Sequence, residues 1–455
     1  MLTLKNRIAL IAGKLALKIL SERSSSAPGL LASKISKDLL DVLLASIEQA
    51  PIFITGTNGK STTAGILASI LKGAGKSIVH NRSGANLQSG LLTALLKQTT
   101  MNGTVAAKMA LLEVDEAVLR KVSVNNEAQL ILVNNFFRDQ LDRFGEMEQS
   151  IAMVCEGLNL RQEGALVVSG DDPNVCRLAV KAIHEGLNEN QVLRFGILPS
   201  ALQLSSIPEI FAEELASCPS CGQDLQYSSQ WLGQFGDFYC PHCAYRKPNP
   251  DVLVTFLRLQ PDFSEIEITF PEGHTLTLTV PLPGLFNVYN ALAAVSAAYS
   301  LKISLEDIAT GVENYKSLFG RSQEVCYKDK RLKFFLIKNP IGASEVLRLI
   351  SSDPKAKILI AINDDYADGR DVSWLWDAHF EYLNSSTFPV YTSGSRGLDM
   401  AVRLKYAGVK DIKHIRGLQE AIDELSKMDD DSHLYVLPTY TALLKLVKLL
   451  NLSKE

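Results

Sequence analysis

The spacing of apolar positions changes several times along the chain, and each change marks an element. Leu4, Ile8, Ile11, Leu15 and Ile19 recur every three or four residues, which predicts an amphipathic helix. "PIFITG", from Pro51 to Gly56, is a short apolar run closed by glycine and predicts a buried strand. "STTAGILASILKGAGK" follows with helical spacing and ends at Gly73 and Gly75. "KMALLEVDEAVL" predicts a strand from Met109 to Val114, with Glu113 near its C-terminal end. Further on, "DVLVTFLRL", "SEIEITF" and "TLTLTV" predict an antiparallel addition to the sheet. "KILIAIN", with a strand from Ile358 to Ile362, then "FPVYTSG", "DIKHI" and "HLYVLPTY" predict a second α/β unit.

Composition narrows the class. The 455 residues exceed what one core usually serves, so two or three domains are expected. Hydrophobic residues make up 46% and charged residues 21%, the balance of an ordinary globular protein. A net charge of -4 argues against a polyanion binder. No apolar run reaches the roughly 18 residues of a membrane span. The start of the chain lacks a long apolar core and a cleavage signal, so a cytoplasmic protein is expected. Seven cysteines, an odd number, argue against a secreted disulfide framework.

The predicted first helix is also basic. Lys5, Arg7, Lys14, Lys18, Arg23, Lys34 and Lys37 face only Glu22 within that stretch. One reading packs the apolar stripe on the next domain and leaves the basic face solvated. The other makes the segment a surface that approaches an anionic membrane.

The candidate chemistry begins with "TGTNGKST". Strand, glycine loop and helix are the setting in which backbone N–H groups and a helix N-terminus converge on phosphates. Gly56, Thr57, Asn58, Gly59, Lys60, Ser61 and Thr62 form the expected cradle. Lys60, expected in an exposed loop, would reach the β- and γ-oxygens of ATP, and the Ser61 hydroxyl would take Mg²⁺. "CPSCG" and "CPHC" place Cys218, Cys221, Cys240 and Cys243 as two C-x₂-C pairs eighteen residues apart, a zinc-ribbon spacing. Four thiolates make a closed structural Zn²⁺ site, with backbone N–H groups of each knuckle facing the sulfurs. The run between the knuckles has aromatics but no lysine or arginine, so a nucleic-acid-binding ribbon is not expected. Cys155, Cys176 and Cys326 are expected to be buried apolar residues. Asp364, Asp365, Asp368 and Asp371 cluster around Gly369, just past a predicted strand and close to Trp374 and Trp376. Turn chemistry explains one or two of them.

The short loop resembles the ATP loop of the Mur ligase and folylpolyglutamate synthetase superfamily. "VNNFFRDQLDRFGEMEQ" (Val133 to Gln149), "LPGLFNVYNALAA" (Leu282 to Ala294) and "FGRSQ" (Phe319 to Gln323) resemble three further motifs of those ligases, in the same order. The resemblance implies a Mur ligase-type P-loop middle domain with a four-cysteine zinc-ribbon insertion, followed by a C-terminal Rossmann-like α/β domain. It implies that Glu113 shares Mg²⁺ with Ser61, that Asn287 or Asn290 touches the nucleotide base, and that Arg321 stabilises the moving phosphoryl group. Gln140 stands where those ligases carry a histidine, and the lysine they carry next is missing, so the resemblance leaves a second metal site open. The loop starts at residue 56, whereas in the UDP-substrate ligases it follows a nucleotide-sugar domain, so a UDP-muramyl precursor is not expected to be gripped in the same way.

With the ribbon and the "ADGRDVSW" segment, the whole chain resembles the MurT family, the ligase subunits of lipid II isoglutaminyl synthase. That resemblance implies amidation of the D-glutamate α-carboxyl of lipid II, with ammonia from a glutaminase subunit, GatD, in a heterodimer. In that family the catalytic acid matches Asp371. The expected division is an N-terminal helical segment 1–44, a middle domain 45–316 with the ribbon at 205–250, and a C-terminal domain 317–455. The other reading is a ligase that adds an amino acid to a carboxylate and works without a partner subunit.

Overall fold

The computed structural model describes residues 2–20, 25–82, 84–137, 146–202, 216–317, 321–384, 386, 388–428 and 431–450. Gln140, Phe319 and the residue-205 start of the ribbon lie outside the described residues, as does the side chain of Arg321.

The strands are β1 (Ile52–Thr55), β2 (Ile78–His80), β3 (Met109–Glu113), β4 (Ala128–Val133), β5 (Leu160–Ser169), β6 (Val192–Ile197), β7 (Gln226–Leu232), β8 (Phe235–Tyr239), β9 (Val252–Leu259), β10 (Ser264–Thr269) and β11 (Thr275–Val280). There follow β12 (Arg321–Tyr327), β13 (Lys330–Phe335), β14 (Ala356–Ala361), β15 (Val390–Ser393), β16 (Ile412–His414) and β17 (His433–Pro438). A nine-stranded sheet runs β11-β10-β9-β6-β5-β4-β1-β3-β2. A six-stranded sheet runs β12-β13-β17-β14-β15-β16, and β7 pairs with β8 alone. The pairings from β6 to β2 are parallel. β10 and β11 add antiparallel, as the pattern predicts, while β9 itself joins β6 in parallel.

The four residues of β1 are all buried because both faces of the sheet are covered. Ile52 and Ile54 face helices Lys60–Gly73 and Leu285–Ser300. Phe53, on the other face, belongs to a core built with Leu10, Ala32, Leu39, Leu91 and Leu95. That second cover includes the N-terminal helices. β1 lies between β4 and β3, where the strand order turns back on itself, the place where open parallel sheets hold ligands.

The first helix, Leu4–Ile19, packs in the opposite sense to the first of the two readings. Its buried positions are Asn6, Ala9, Leu10, Gly13 and Ala16, and Leu4, Ile8, Ile11, Leu15 and Ile19 face solvent. The small residues decide this. A Cβ on Gly13 would lie 2.6 Å from Leu96 Cδ1 and 3.2 Å from Ala32 Cβ, so the helix sits too close to its neighbours for a larger side chain there. Cys155 and Cys176 are buried as expected, but Cys326 is exposed. It alternates outward from buried Val325 on β12, the edge strand of the second sheet.

A buried polar network locks the ribbon to the large sheet. Lys247 Nζ lies 2.6 Å from Asp171 Oδ1, with both side chains buried. Tyr289 donates its hydroxyl to Asp171 Oδ2 at 2.6 Å, and Trp231 donates its indole N–H to Tyr289 at 2.7 Å. Burial pushes the Asp171 carboxyl up, and Lys247 opposes that shift. Lys247→Met should therefore lower stability by about 3–5 kcal/mol, because it leaves a buried carboxylate without its cation. Denaturant midpoints check this, and adding Asp171→Asn to that variant should recover part of the loss.

Candidate functional site

The phosphate loop runs from the end of β1 into helix Lys60–Gly73. Gly56 and Gly59 both have positive φ, +119° and +81°. A Cβ on Gly59 would fall 1.9 Å from Asn290 Oδ1, and one on Gly56 would fall 2.8 Å from the Asn135 carbonyl. Only glycine fits at either place. The loop is fastened to the segment after β4: Thr57 N–H donates to Asn135 O, and Asn58 N–H to Asn135 Oδ1 at 2.8 Å. Asn134 Nδ2 returns a hydrogen bond to the Asn58 carbonyl at 3.2 Å.

Lys60 is not exposed as expected; only 9% of it is accessible. Its ammonium donates to the Gly56 carbonyl and lies 3.4 Å from Glu116 Oε1. Burial pushes the Glu116 carboxyl up, and Lys60 opposes that. Lys60 is thus held at the mouth of the loop by groups that a phosphate can replace. Ser61 Oγ donates to Glu113 Oε2 at 2.5 Å. Asn81 fixes the end of β3, accepting from Glu113 N–H and donating to the Glu113 carbonyl. Gly84 stands over this hydroxyl–carboxylate pair; a Cβ there would lie 3.2 Å from Ser61 Oγ. Converging hard oxygens beside a phosphate loop fit Mg²⁺.

These groups open into a cavity of about 580 Å³ between the two sheets. Thr57 to Thr62, Glu113, Asn287 and Asn290 line one side; Lys338, Asn339, Glu345, Asp368 and Gly369 line the other. Asn339 Nδ2 donates to Asn58 Oδ1 at 2.8 Å and ties the phosphate loop to the second sheet. Asn287 and Asn290 lie inside the first turns of helix Leu285–Ser300, whose N-cap is Gly284, so neither is the cap. Asn290 donates to Asn287 Oδ1 at 3.2 Å, and Asn287 donates to the Pro283 carbonyl.

Phe137, Phe235, Phe286 and Tyr289 give the cavity an aromatic wall. Phe235 stacks on Phe137 at 5.3 Å and meets Tyr289 edge-on at 4.8 Å. Phe235 and Leu232 belong to the β7–β8 hairpin of the ribbon, so the ribbon shapes this cavity. No motif pointed to them, nor to Asn339 or Glu345. The glycine in "LGQF" marks the hairpin turn but not where it docks.

The acidic cluster divides in two. Asp368 and Gly369 line the cavity, and Asp371 is not among the lining residues. Asp368 is engaged on both oxygens: Oδ1 accepts from Thr441 N–H at 2.7 Å, and Oδ2 accepts from the Thr441 hydroxyl and from Asp365 N–H. Asp371 is half-buried and accepts from Ser373 N–H at 2.8 Å at the start of the turn Ser373–Trp376. Trp374 sits in the core of the second unit and Trp376 is exposed, so neither faces the cavity.

The four ribbon cysteines meet. Their sulfurs all lie within 4.8 Å of one another, with Cys218 and Cys243 at 3.6 Å and Cys221 and Cys240 at 3.5 Å. A tetrahedron with Zn–S bonds of about 2.3 Å has edges of about 3.8 Å, so the set fits that ion. Backbone N–H groups of Gln223, His242 and Tyr245 face the sulfurs of Cys221, Cys240 and Cys243.

Comparison with known proteins places this geometry. Residues 54–236 match the Mur ligase middle domain, and residues 336–443 match the MurT ligase C-terminal domain. A solved pseudomurein peptide ligase type C from Methanothermus fervidus shares the fold, with a TM-score of 0.64 at 20% identity over 90% of this chain and 80% of that one. The MurT subunit of lipid II isoglutaminyl synthase (glutamine-hydrolyzing) from Streptococcus pneumoniae is 31% identical, over 99% of this chain and 98% of that protein. The Staphylococcus aureus subunit of the same name is 30% identical, over 97% and 96%. One match takes in the phosphate loop and the other the acidic segment across the cavity, and the likeness runs nearly end to end: the chain belongs to the MurT family of Mur ligase-type proteins.

Proposed function

We propose that this protein is an ATP-dependent carbon–nitrogen ligase subunit that amidates the D-glutamate α-carboxyl of the lipid II stem peptide to D-isoglutamine. A GatD-type glutaminase subunit would supply the ammonia, and the work would be done on the cytoplasmic side, at the inner face of the membrane. The observation that carries this reading is that the phosphate loop and the Asp368–Gly369 turn line one cavity, in a chain of this family.

The chemistry has two halves. A carboxylate oxygen of the substrate attacks the γ-phosphorus of ATP, and ADP leaves. Ammonia then attacks the carbonyl carbon of the acyl phosphate, phosphate leaves, and one proton is taken up by a base. Lys60 and the N–H groups of the loop neutralise the β- and γ-phosphates. Ser61 and Glu113 would hold Mg²⁺, which supplies further neutralisation of charge when bound. Asn287, Asn290 and the aromatic wall seat the nucleoside, and Arg321 meets the moving phosphoryl group. Closure of the cleft around bound substrate would keep water from the acyl phosphate. The family resemblance points to Asp371, two residues past Gly369 of the cavity wall, as the acid that would orient ammonia and accept its proton. The four cysteines would hold Zn²⁺ as a structural ion.

Lys60→Ala should cut ATP turnover by roughly a hundredfold or more, since it removes a preorganised cation from the phosphates. It should also leave Glu116 buried without its partner, so the melting temperature is measured alongside turnover. Wild-type turnover would mean that the loop is not the cradle.

Asp371→Asn should spare nucleotide binding but lower amidation by about a hundredfold or more, the usual range for losing a general base. Product is measured with ammonium salt in place of glutamine, so that no glutaminase is needed. Mass spectrometry should show a hydroxyl exchanged for an amino group rather than an added amino-acid residue. Full activity would move the role to another acid.

Chelation of the ribbon metal, or Cys221→Ser, should loosen the β7–β8 hairpin and with it Phe235. The Michaelis constant for ATP should rise before the large sheet unfolds. Metal content by elemental analysis and ATP titration check this together; an unchanged constant in metal-free protein would separate the ribbon from the site.

A further inference from the structure

The first two helices carry an unpartnered apolar face ringed by cations. On helix Leu4–Ile19, Leu4 is 76% exposed, Ile8 51%, Ile11 43%, Leu15 53% and Ile19 80%. These positions form one continuous stripe along about 24 Å of helix. Helix Ala27–Ile35 lies beside it and exposes Leu30 and Leu31. Both helices rest on helix Gln88–Gln98, through Gly13 against Leu96 and through Gly29, whose N–H donates to Thr93 Oγ1 at 2.9 Å. Their outer faces therefore point the same way, away from that shared floor.

The charges around this face are mainly positive, with exposed Asp38 at one end, hydrogen-bonded to Asn6 and Ser36. Lys5, Arg7, Lys18, Lys34 and Lys37 are exposed, and Lys14 is half-buried. The described residues from 2 to 37 contain no aspartate or glutamate. No helix among the described residues is long and apolar enough to cross a membrane. We infer that this face docks in the plane of an anionic lipid surface, with the stripe seated among the acyl chains and the lysines and Arg7 at the headgroups. Charge decides the occupant. An apolar stripe whose flanking charges are mainly cations complements anionic lipid, where each cation near the surface adds to binding. A second copy of the chain would bring the same cations against these.

The placement favours a substrate held in a membrane. Helix Gln88–Gln98 follows directly from Gly84 and Asn86, which line the cavity. The docking face is thus one helix behind the cavity rim. The inference rests on the proposed lipid-linked substrate only for its purpose, because docking is measured without turnover.

The test is flotation of the full chain with vesicles of mixed phosphatidylglycerol and phosphatidylcholine, and with pure phosphatidylcholine. The wild type should float with the anionic vesicles alone, and less so at high salt. The triple variant Ile8→Ser, Ile11→Ser, Leu15→Ser should bind at least about tenfold more weakly. A second variant, Leu4→Ser with Ile19→Ser at the most exposed positions, should do the same with an unchanged melting temperature. ATP turnover on a soluble stem-peptide fragment should not change in either. No flotation of the wild type, or flotation of both variants equal to that of the wild type, overturns the inference. So does a fall in solution mass of the variants without a change in flotation, which would make the stripe a protein interface. Docking that persists while the fragment is not amidated would instead count against the proposed function alone.

Discussion

A phosphate cradle must bring backbone N–H groups close to an anion, and here that requirement removes all space for a side chain at Gly59. A Cβ there would fall 1.9 Å from Asn290 Oδ1, so only glycine allows both this turn and the Asn290 side chain of helix Leu285–Ser300 beside it. The left-handed turn at Gly59 then starts helix Lys60–Gly73 at once. Lys60 and Ser61 are its first two residues, and both point into the site from a rigid element rather than from the loop. Everything else in the cavity is arranged around that start. Glu113 meets Ser61 because β3 pairs with β1 in a register that sets Ile54 opposite Glu113.

Three segments far apart in sequence share this cavity, and each is held by buried polar contacts. Asn58 and Asn339 bridge the two sheets. Asp171 joins Lys247 and Tyr289, so the ribbon and the asparagine helix are fixed by one carboxylate. Asp172, beside it, caps helix Pro173–His184 and also accepts from Phe136 N–H and Gln234 Nε2. Burial pushes the Asp172 carboxyl up to about 6, and those donors hold it down from going higher. An acid is expensive in such a place. It is tolerated because one group can orient the ribbon hairpin, the segment after β4 and a helix start at once.

Period and spacing made the elements legible. The strand before the loop, the helix after it, the three strands past the ribbon and the second α/β unit all follow from apolar patterning. Ribbon cysteines are legible because metal geometry fixes their spacing, and sequence neighbours supply each knuckle. What escaped was tertiary. Phe235 reads as an ordinary aromatic in a hairpin, and only docking carries it to the cavity. Asp368 and Asp371 are alike in sequence, and the hydrogen bonds from Thr441, 73 residues beyond Asp368, distinguish them. Lys60 reads as a loop residue, and its burial comes from Glu116 and the loop carbonyls closing over it.

The N-terminal helix shows why an apolar period alone does not say which face is buried. Its large residues repeat at helical spacing, and so do its small ones, Ala9, Gly13 and Ala16, one step away. Packing energy favours burying the large stripe. Close approach to Ala32 and Leu96 favours the small one, because two helices must fit side by side on a single short helix. Leu10 then supplies the one large buried anchor of the small face. A soluble surface rarely retains so long an exposed aliphatic stripe without use for it. Cations on both sides keep such a stripe in water, and they also define the sign of the surface that can cover it.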